Sequence, residues 1–235
     1  MKASAVRLLA GAMLAVILVA GSASTAEAVP FTITSVLTGD IRPQNPDNLI
    51  VNVTVTGDTT SNVTNWLVDI NSPLHPQATL GGLFFNLAVD PTLLSFSNFS
   101  PSAWSVSYST NNAEGSGGAR FQFEANDPPR STNNVTNDVS LSFTARLSSG
   151  TWNEGIFLNA PLSDGGATVD PGVQVGAHLR SLSTSGCSTC NTDSGFAGGN
   201  YTPPPTSSVP EPGSMMLMGL GVAAFAATRR RSHRA

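Results

Sequence analysis

Val139-Ser140-Leu141-Ser142-Phe143-Thr144-Ala145-Arg146-Leu147 places an apolar side chain at every second position, with serine, threonine and arginine between. Successive side chains of an extended chain point to opposite faces, so this segment has one apolar face and one wet face. The same period recurs. Val51, Val53 and Val55 alternate with Asn52, Thr54 and Thr56. Trp104, Val106 and Tyr108 alternate with Ser105, Ser107 and Ser109, and Phe121 and Phe123 flank Gln122. Shorter strand candidates are Trp66–Ile70, Leu83–Val89, Leu93–Phe96, Ile156–Leu158 and Val173–Leu179.

Turn-forming residues separate these runs, among them Gly57-Asp58, Asn71-Ser72-Pro73, Asp90-Pro91, Asn126-Asp127-Pro128-Pro129 and Asp164-Gly165-Gly166. No stretch sustains a helical period. About nine short strands, each with one polar face, predict an all-β fold of two packed antiparallel sheets, a β-sandwich spanning residues 29–198. A barrel or a solenoid is the competing all-β arrangement, and the lack of a fixed repeat argues against the solenoid.

The two ends differ in kind from this middle. Lys2 and Arg7 precede an uncharged run, Leu8 to Ala20, and then Ala26-Glu27-Ala28. A basic start, a short apolar core and an A-x-A site predict a signal peptide over residues 1–28, cut between Ala28 and Val29. The core is too short to span a membrane in comfort, since a spanning helix needs about 20 residues. Sec export and signal peptidase are the implied partners.

Between Val29 and Val209 there is no lysine, and five arginines against ten aspartates and three glutamates leave a net charge of −8. That balance argues against nucleic acid, whose affinity comes from Lys and Arg neutralising phosphates, and against anionic lipid surfaces. From Gly199 to Gly213 the sequence turns into a spacer with Pro203-Pro204-Pro205, expected to be extended because proline lacks the donor a sheet requires. Ser214 to Thr228 is uncharged and apolar, and Arg229, Arg230, Arg231 and Arg234 close the chain over residues 229–235. Fifteen helical residues reach about 22 Å against a hydrocarbon core near 30 Å, a short span that suits a transient anchor. Carrying four arginines across would cost on the order of 10 kcal/mol, so the basic end should remain cytoplasmic and the body outside.

Val209-Pro210-Glu211-Pro212, then the short apolar run, then the arginine cluster, resembles the PEP-CTERM sorting signal over residues 209–235. The resemblance implies processing by an exosortase, a membrane-bound cysteine transpeptidase-like enzyme that cleaves near the motif. It also implies a Gram-negative-type host that makes exopolysaccharide, which is thereby a candidate partner. The prolines fix the backbone and delay the helix until Gly213, presenting Glu211 extended at the membrane face. Glu211 is then placed to pair with a basic group of that enzyme. Phe85 to Phe96 loosely resembles the strand–turn–strand of cohesin-like and carbohydrate-binding β-sandwiches.

Chemistry-bearing residues are sparse. His75 lies in a Pro-rich loop and His178 in a strand candidate, with no ligand partners at metal spacing. Cys187-Ser188-Thr189-Cys190 suits a disulfide outside the cytoplasm; free thiols, a redox pair and a zinc half-site stay open. Asp58, Asp127, Asp138, Asp164, Asp170 and Asp193 sit among turns without calcium-loop spacing, although Asp164 with Asp170 would be the pair to hold a cation. Glu114, Glu124 and Glu154 are the glutamates a glycosidase would have to use. No nucleophile elbow, phosphate loop or His-Glu-x-x-His is present. Four Asn-x-Ser/Thr sequons, at Asn52, Asn62, Asn98 and Asn134, are the expectation of chance in such a composition.

The expectation is a non-catalytic exported protein without cofactor or metal, tethered at the inner membrane and then released to the cell surface or extracellular matrix. The alternatives are a secreted carbohydrate-binding module, for which Trp66, Trp104, Tyr108 and Trp152 are the candidate aromatics, and a secreted hydrolase.

Overall fold

A computed structural model describes residues 27–39, 49–108, 119–126, 134–163, 172–183 and 193–203. The chain divides into two compact units, Met1–Thr202 and Pro203–Ala235, and only Pro203 of the second is among the described residues. Residues 1–26 of the expected signal peptide, Cys187 and Cys190, the candidate acids Glu114, Asp127, Asp164 and Asp170, and the tail from Val209 to Arg234 lie outside them.

The first unit is all-β and antiparallel. Its strands are β1 (Pro30–Gly39), β2 (Leu49–Asp58), β3 (Val63–Ile70), β4 (Thr79–Phe85), β5 (Leu94–Ser100), β6 (Ser105–Tyr108), β7 (Phe123–Asn126), β8 (Leu141–Leu147), β9 (Val175–Leu182) and β10 (Asp193–Gly199). One α-helical turn, α1 (Gly155–Leu158), and one 3-10 turn, Pro91–Leu93, interrupt them. The ten strands form one sheet in the order β5-β8-β3-β2-β1-β10-β9-β4-β7-β6. Two separate sheets were expected; β1 joins them, because it pairs with β2 along its whole length and with β10 at Thr38↔Gly198. Its far ends then meet. β5 approaches β6, and the Phe96 ring of β5 packs 5.7 Å from Phe123 of β7, so the sheet curls nearly into a barrel.

The alternating residues read in the sequence supply the inner face. Val51, Val53 and Val55 of β2 and Leu141, Phe143, Ala145 and Leu147 of β8 are buried, while the residues between them face outward. Trp66 stacks on Phe143 at 5.2 Å and lies 4.8 Å from Phe85, which stacks on Phe123 at 5.1 Å. Burial of each such side chain contributes roughly 1.5–3 kcal/mol by transfer.

Three expectations fail locally, each for a visible reason. Ile156–Leu158 is helical, capped at Asn159 by backbone bonds to Gly155 and Phe157, and only Ile156 and Phe157 turn inward. Phe121 and Phe123 do not share a face: β7 begins at Phe123, and Phe121 joins Phe84 and Phe196 in a separate cluster on the outer side. The strand expected over Leu83–Val89 ends at Phe85, and a register shift between Leu80 and Gly82 breaks the period of β4, so Leu80, Leu83 and Phe85 line the core. A Cβ on Gly81 would lie 2.6 Å from the Arg180 guanidinium, which leaves no room for a larger residue while Arg180 lies across it.

Candidate functional site

The expected cut between Ala28 and Val29 falls at the edge of the folded body. Glu27 to Val29 precede β1 and are exposed. Val29 donates its N–H to Thr59 Oγ1 at 3.1 Å and accepts from Thr59 N–H at 3.0 Å. Pairing at the other edge runs past the expected end of the domain. Thr202 and Thr34 bond through both backbones, at 2.8 and 3.1 Å, although residues 199–208 were expected to stay out of the sheet. Thr202 precedes the three prolines and keeps its donor.

Gln174 holds that exit in place. Its side-chain amide donates to the carbonyls of Phe157, Leu158 and Ala160, and its Oε1 accepts from Tyr201 N–H at 2.9 Å. The Tyr201 ring is buried edge-on against Phe157 at 5.5 Å. Neither signal was visible in the sequence, which offered only a lone glutamine and a tyrosine before prolines.

The candidate aromatics turn mostly inward. Trp66, Trp104 and Trp152 are buried, and the Trp152 indole N–H donates to Asn62 O at 2.9 Å. Tyr108, expected to share a buried face with Trp104, is 46% exposed; Trp104 precedes β6 and so escapes its alternation.

Ser72, His75 and Asn137 gather, but as a loop lock. Ser72 Oγ exchanges hydrogen bonds with the Ile50 backbone, Asn137 Oδ1 accepts from Ser72 N–H, and Asn137 Nδ2 donates to His75 O. His75 is fully buried, and its Nδ1 accepts from Ser183 N–H at 3.1 Å. Those bonds leave the serine hydroxyl turned to the backbone.

His178 and Glu124 lie on the outer face of β9 and β7. Burial, and then the Arg180 charge, hold the imidazole below its ordinary range; burial raises the Glu124 carboxyl. Asp58 and Asp90 each accept from a threonine two residues on, through its N–H and its hydroxyl, and these bonds lower both carboxyls. Among the described residues no three of His, Cys, Asp or Glu gather as a metal site. Of the sequons, Asn62 is tied to Leu147 O and Arg146, and Thr64 is buried.

The two halves of the sheet differ on their outer sides. On β4, β9 and β10 the Phe84, Phe121 and Phe196 rings cover the strands at 5.9 to 6.2 Å from one another, over Gly176. On the other half the register aligns Thr32, Thr56, Asn65, Thr144 and Ser97 in one row across β1, β2, β3, β8 and β5. A second row holds Thr34, Thr54, Leu67 and Ser142, with Thr202 beside Thr34. All are half-buried or exposed, and Leu67 is 41% exposed.

The structure thus defines an all-β antiparallel domain with an exposed Val29 just before β1 and a Thr202 fastened to β1. Its C-terminal sequence matches the family described as PEP-CTERM protein-sorting motif at residues 208–231, so the chain carries that sorting signal. The match takes in Val209 to Pro212 and Arg229 to Arg231, and it supports exosortase-targeted sorting of an exported or surface protein. No curated protein and no solved structure matches the chain.

Proposed function

We propose that this is a non-catalytic surface or extracellular-matrix protein, exported by the Sec route and finished by an exosortase. The observation that carries the reading is the sorting motif at residues 208–231, set behind an all-β body. Signal peptidase cuts after Ala28. The apolar run 214–228 holds the tail in the inner membrane, with Arg229, Arg230, Arg231 and Arg234 on the cytoplasmic side, until the enzyme cleaves near Glu211. Among the described residues no helix is long and apolar enough to cross a membrane, and the run itself lies outside them. Support for a non-catalytic body comes from the loop-lock role of Ser72, His75 and Asn137 and from the turn bonds of Asp58 and Asp90.

The test is fractionation of a host with and without its exosortase. The body should reach the surface or medium in the first and stay membrane-bound, with its tail, in the second. Identical products in both hosts would refute the reading. Glu211→Ala should slow processing; an unchanged rate would remove the proposed pairing of Glu211 with the enzyme.

A further inference from the structure

We infer that the clasp of residues 199–202 on β1 sets how far the sorting motif can stand from the folded body, and that processing depends on that reach. The inference rests on the exosortase reading above and adds to it the residues that position the tail. Every residue of the exit is tied down. Gln174 N–H donates to Gly199 O at 3.2 Å and to Asn200 Oδ1 at 3.0 Å, and the Gln174 side chain accepts from Tyr201 N–H. The Tyr201 ring is buried, and Thr202 closes two backbone bonds with Thr34.

The hold stops sharply at Thr202. Thr38↔Gly198 and Thr34↔Thr202 keep one antiparallel register, so the chain leaves Thr202 running back along β1 toward Pro30. That is the end where Val29 meets Thr59. Hydrogen-bonded pairs of an antiparallel ladder recur at every second residue. The next would match Thr32 with Pro204, which has no N–H to give. Nine residues then lead from Pro203 to Glu211. Whatever their conformation, they reach at most about 30 Å. A folded body is too wide to follow its tail into an enzyme's cleft, so the enzyme has that length and no more to work in. A tether shorter than the distance it must span drops the effective concentration of the joined part toward zero. Tyr201 and Thr202 are thus positioning residues: they act on processing by fixing where the tether begins, without touching the bond that is cut.

The test is pulse-chase of the full-length chain in a host with its exosortase, with precursor and product separated by mass. Deleting residues 203–207 leaves the matched segment 208–231 whole and cuts the tether to four residues, at most about 14 Å. Cleavage should slow about ten-fold or more. A Gly-Ser replacement of the same length should restore the rate. Adding Tyr201→Ala and Thr202→Pro to the deletion should restore much of it as well, because the opened clasp returns residues 200–202 to the tether. A merely structural loss would give no such rescue. Thr202→Ser keeps the backbone donor and should leave the deleted chain slow. Normal cleavage of the deleted chain, or no recovery with the Gly-Ser replacement, would overturn the inference. So would failure of the double variant to rescue while its body still melts cooperatively. If that body does not fold, amide hydrogen exchange of the full-length wild type in mild detergent decides. Slow exchange at Thr34 and Thr202 upholds the clasp, and exchange at the rate of a free chain overturns it. The wild-type chain in hosts with and without the enzyme reports on the processing reading alone, so the two can fail apart.

Discussion

Thr34 and Thr202 stand 168 positions apart, yet they exchange two backbone hydrogen bonds and their hydroxyls meet at 3.0 Å. The pair fixes where the body ends. A sheet that would otherwise close at Gly199 is extended by the residues immediately before the prolines, and the exit of the tail is tied to the first strand after the expected signal cut. A chain truncated after Pro203 should therefore melt like the full body, whereas one truncated after Gly199 should lose several degrees or fail to fold. Calorimetry of the two truncations checks this.

Tyr201 is buried, and among the described residues its hydroxyl has no hydrogen-bond partner. An unsatisfied buried hydroxyl costs about 1–3 kcal/mol, so Tyr201→Phe should leave stability unchanged or raise it by that order. Tyr201→Ala should cost about 3–5 kcal/mol, as for other large aromatics in a core. Burial raises the phenol well above its ordinary value of 10.0. The folded state therefore holds a proton that the unfolded chain releases above that value, so stability falls with rising alkaline pH. Tyr201→Phe should abolish that decline in a denaturant titration.

Gln174 is a buried amide with every polar function engaged, donating to Phe157 and Leu158 of α1 and to Ala160 and accepting from Tyr201. Gln174→Ala leaves buried carbonyls and one N–H unpaired, and a loss of at least about 2 kcal/mol is expected. Gln174→Glu should be worse, because a carboxylate would face three carbonyl oxygens. Urea midpoints of the two variants give the order.

Trp152→Ala is the obvious probe for an aromatic sugar platform, but its result will report on folding. The ring is fully buried, stacked on Phe157 at 5.5 Å, and bonded to Asn62. A loss of about 3–5 kcal/mol is expected, read as a lower melting temperature with or without glycan.

The pH response of the outer face has two opposing parts. His178 sits below its ordinary value of 6.5, so the unfolded chain binds the extra proton first and stability declines as pH falls from 6.5 through the folded value. Glu124 sits above its ordinary 4.5, so its contribution is full below 4.5 and is lost as pH rises through the folded value. His178→Gln should flatten the first decline, and Glu124→Gln should raise the melting temperature at pH 7. Melting curves from pH 4 to 8 separate the two.

Much of the sheet was legible from side-chain alternation, and its limits are equally physical. β2, β3 and β8 announce themselves because each buries one face and wets the other. β1 also alternates, but its role as the join between two halves depends on a pairing 160 residues away that no local pattern encodes. β10 is concealed by glycines at 195, 198 and 199, which carry no hydropathy signal. The Leu80/Gly82 shift in β4 hid its inner face. Of the candidate sites, the sorting tail was legible because its grammar is linear: prolines, an apolar run, arginines. The outward rows of threonine, serine and asparagine were not, since they are made of strands distant in sequence and only register aligns them.

The central claim is that both ends of the chain direct the body out of the cytoplasm, and intact-mass measurement of the protein recovered from its host tests it most directly. The predicted species begins at Val29 and ends near Glu211, having lost the apolar run and its arginines, and it is found at the surface or in the medium. A soluble cytoplasmic polypeptide with the mass of all 235 residues would contradict the account.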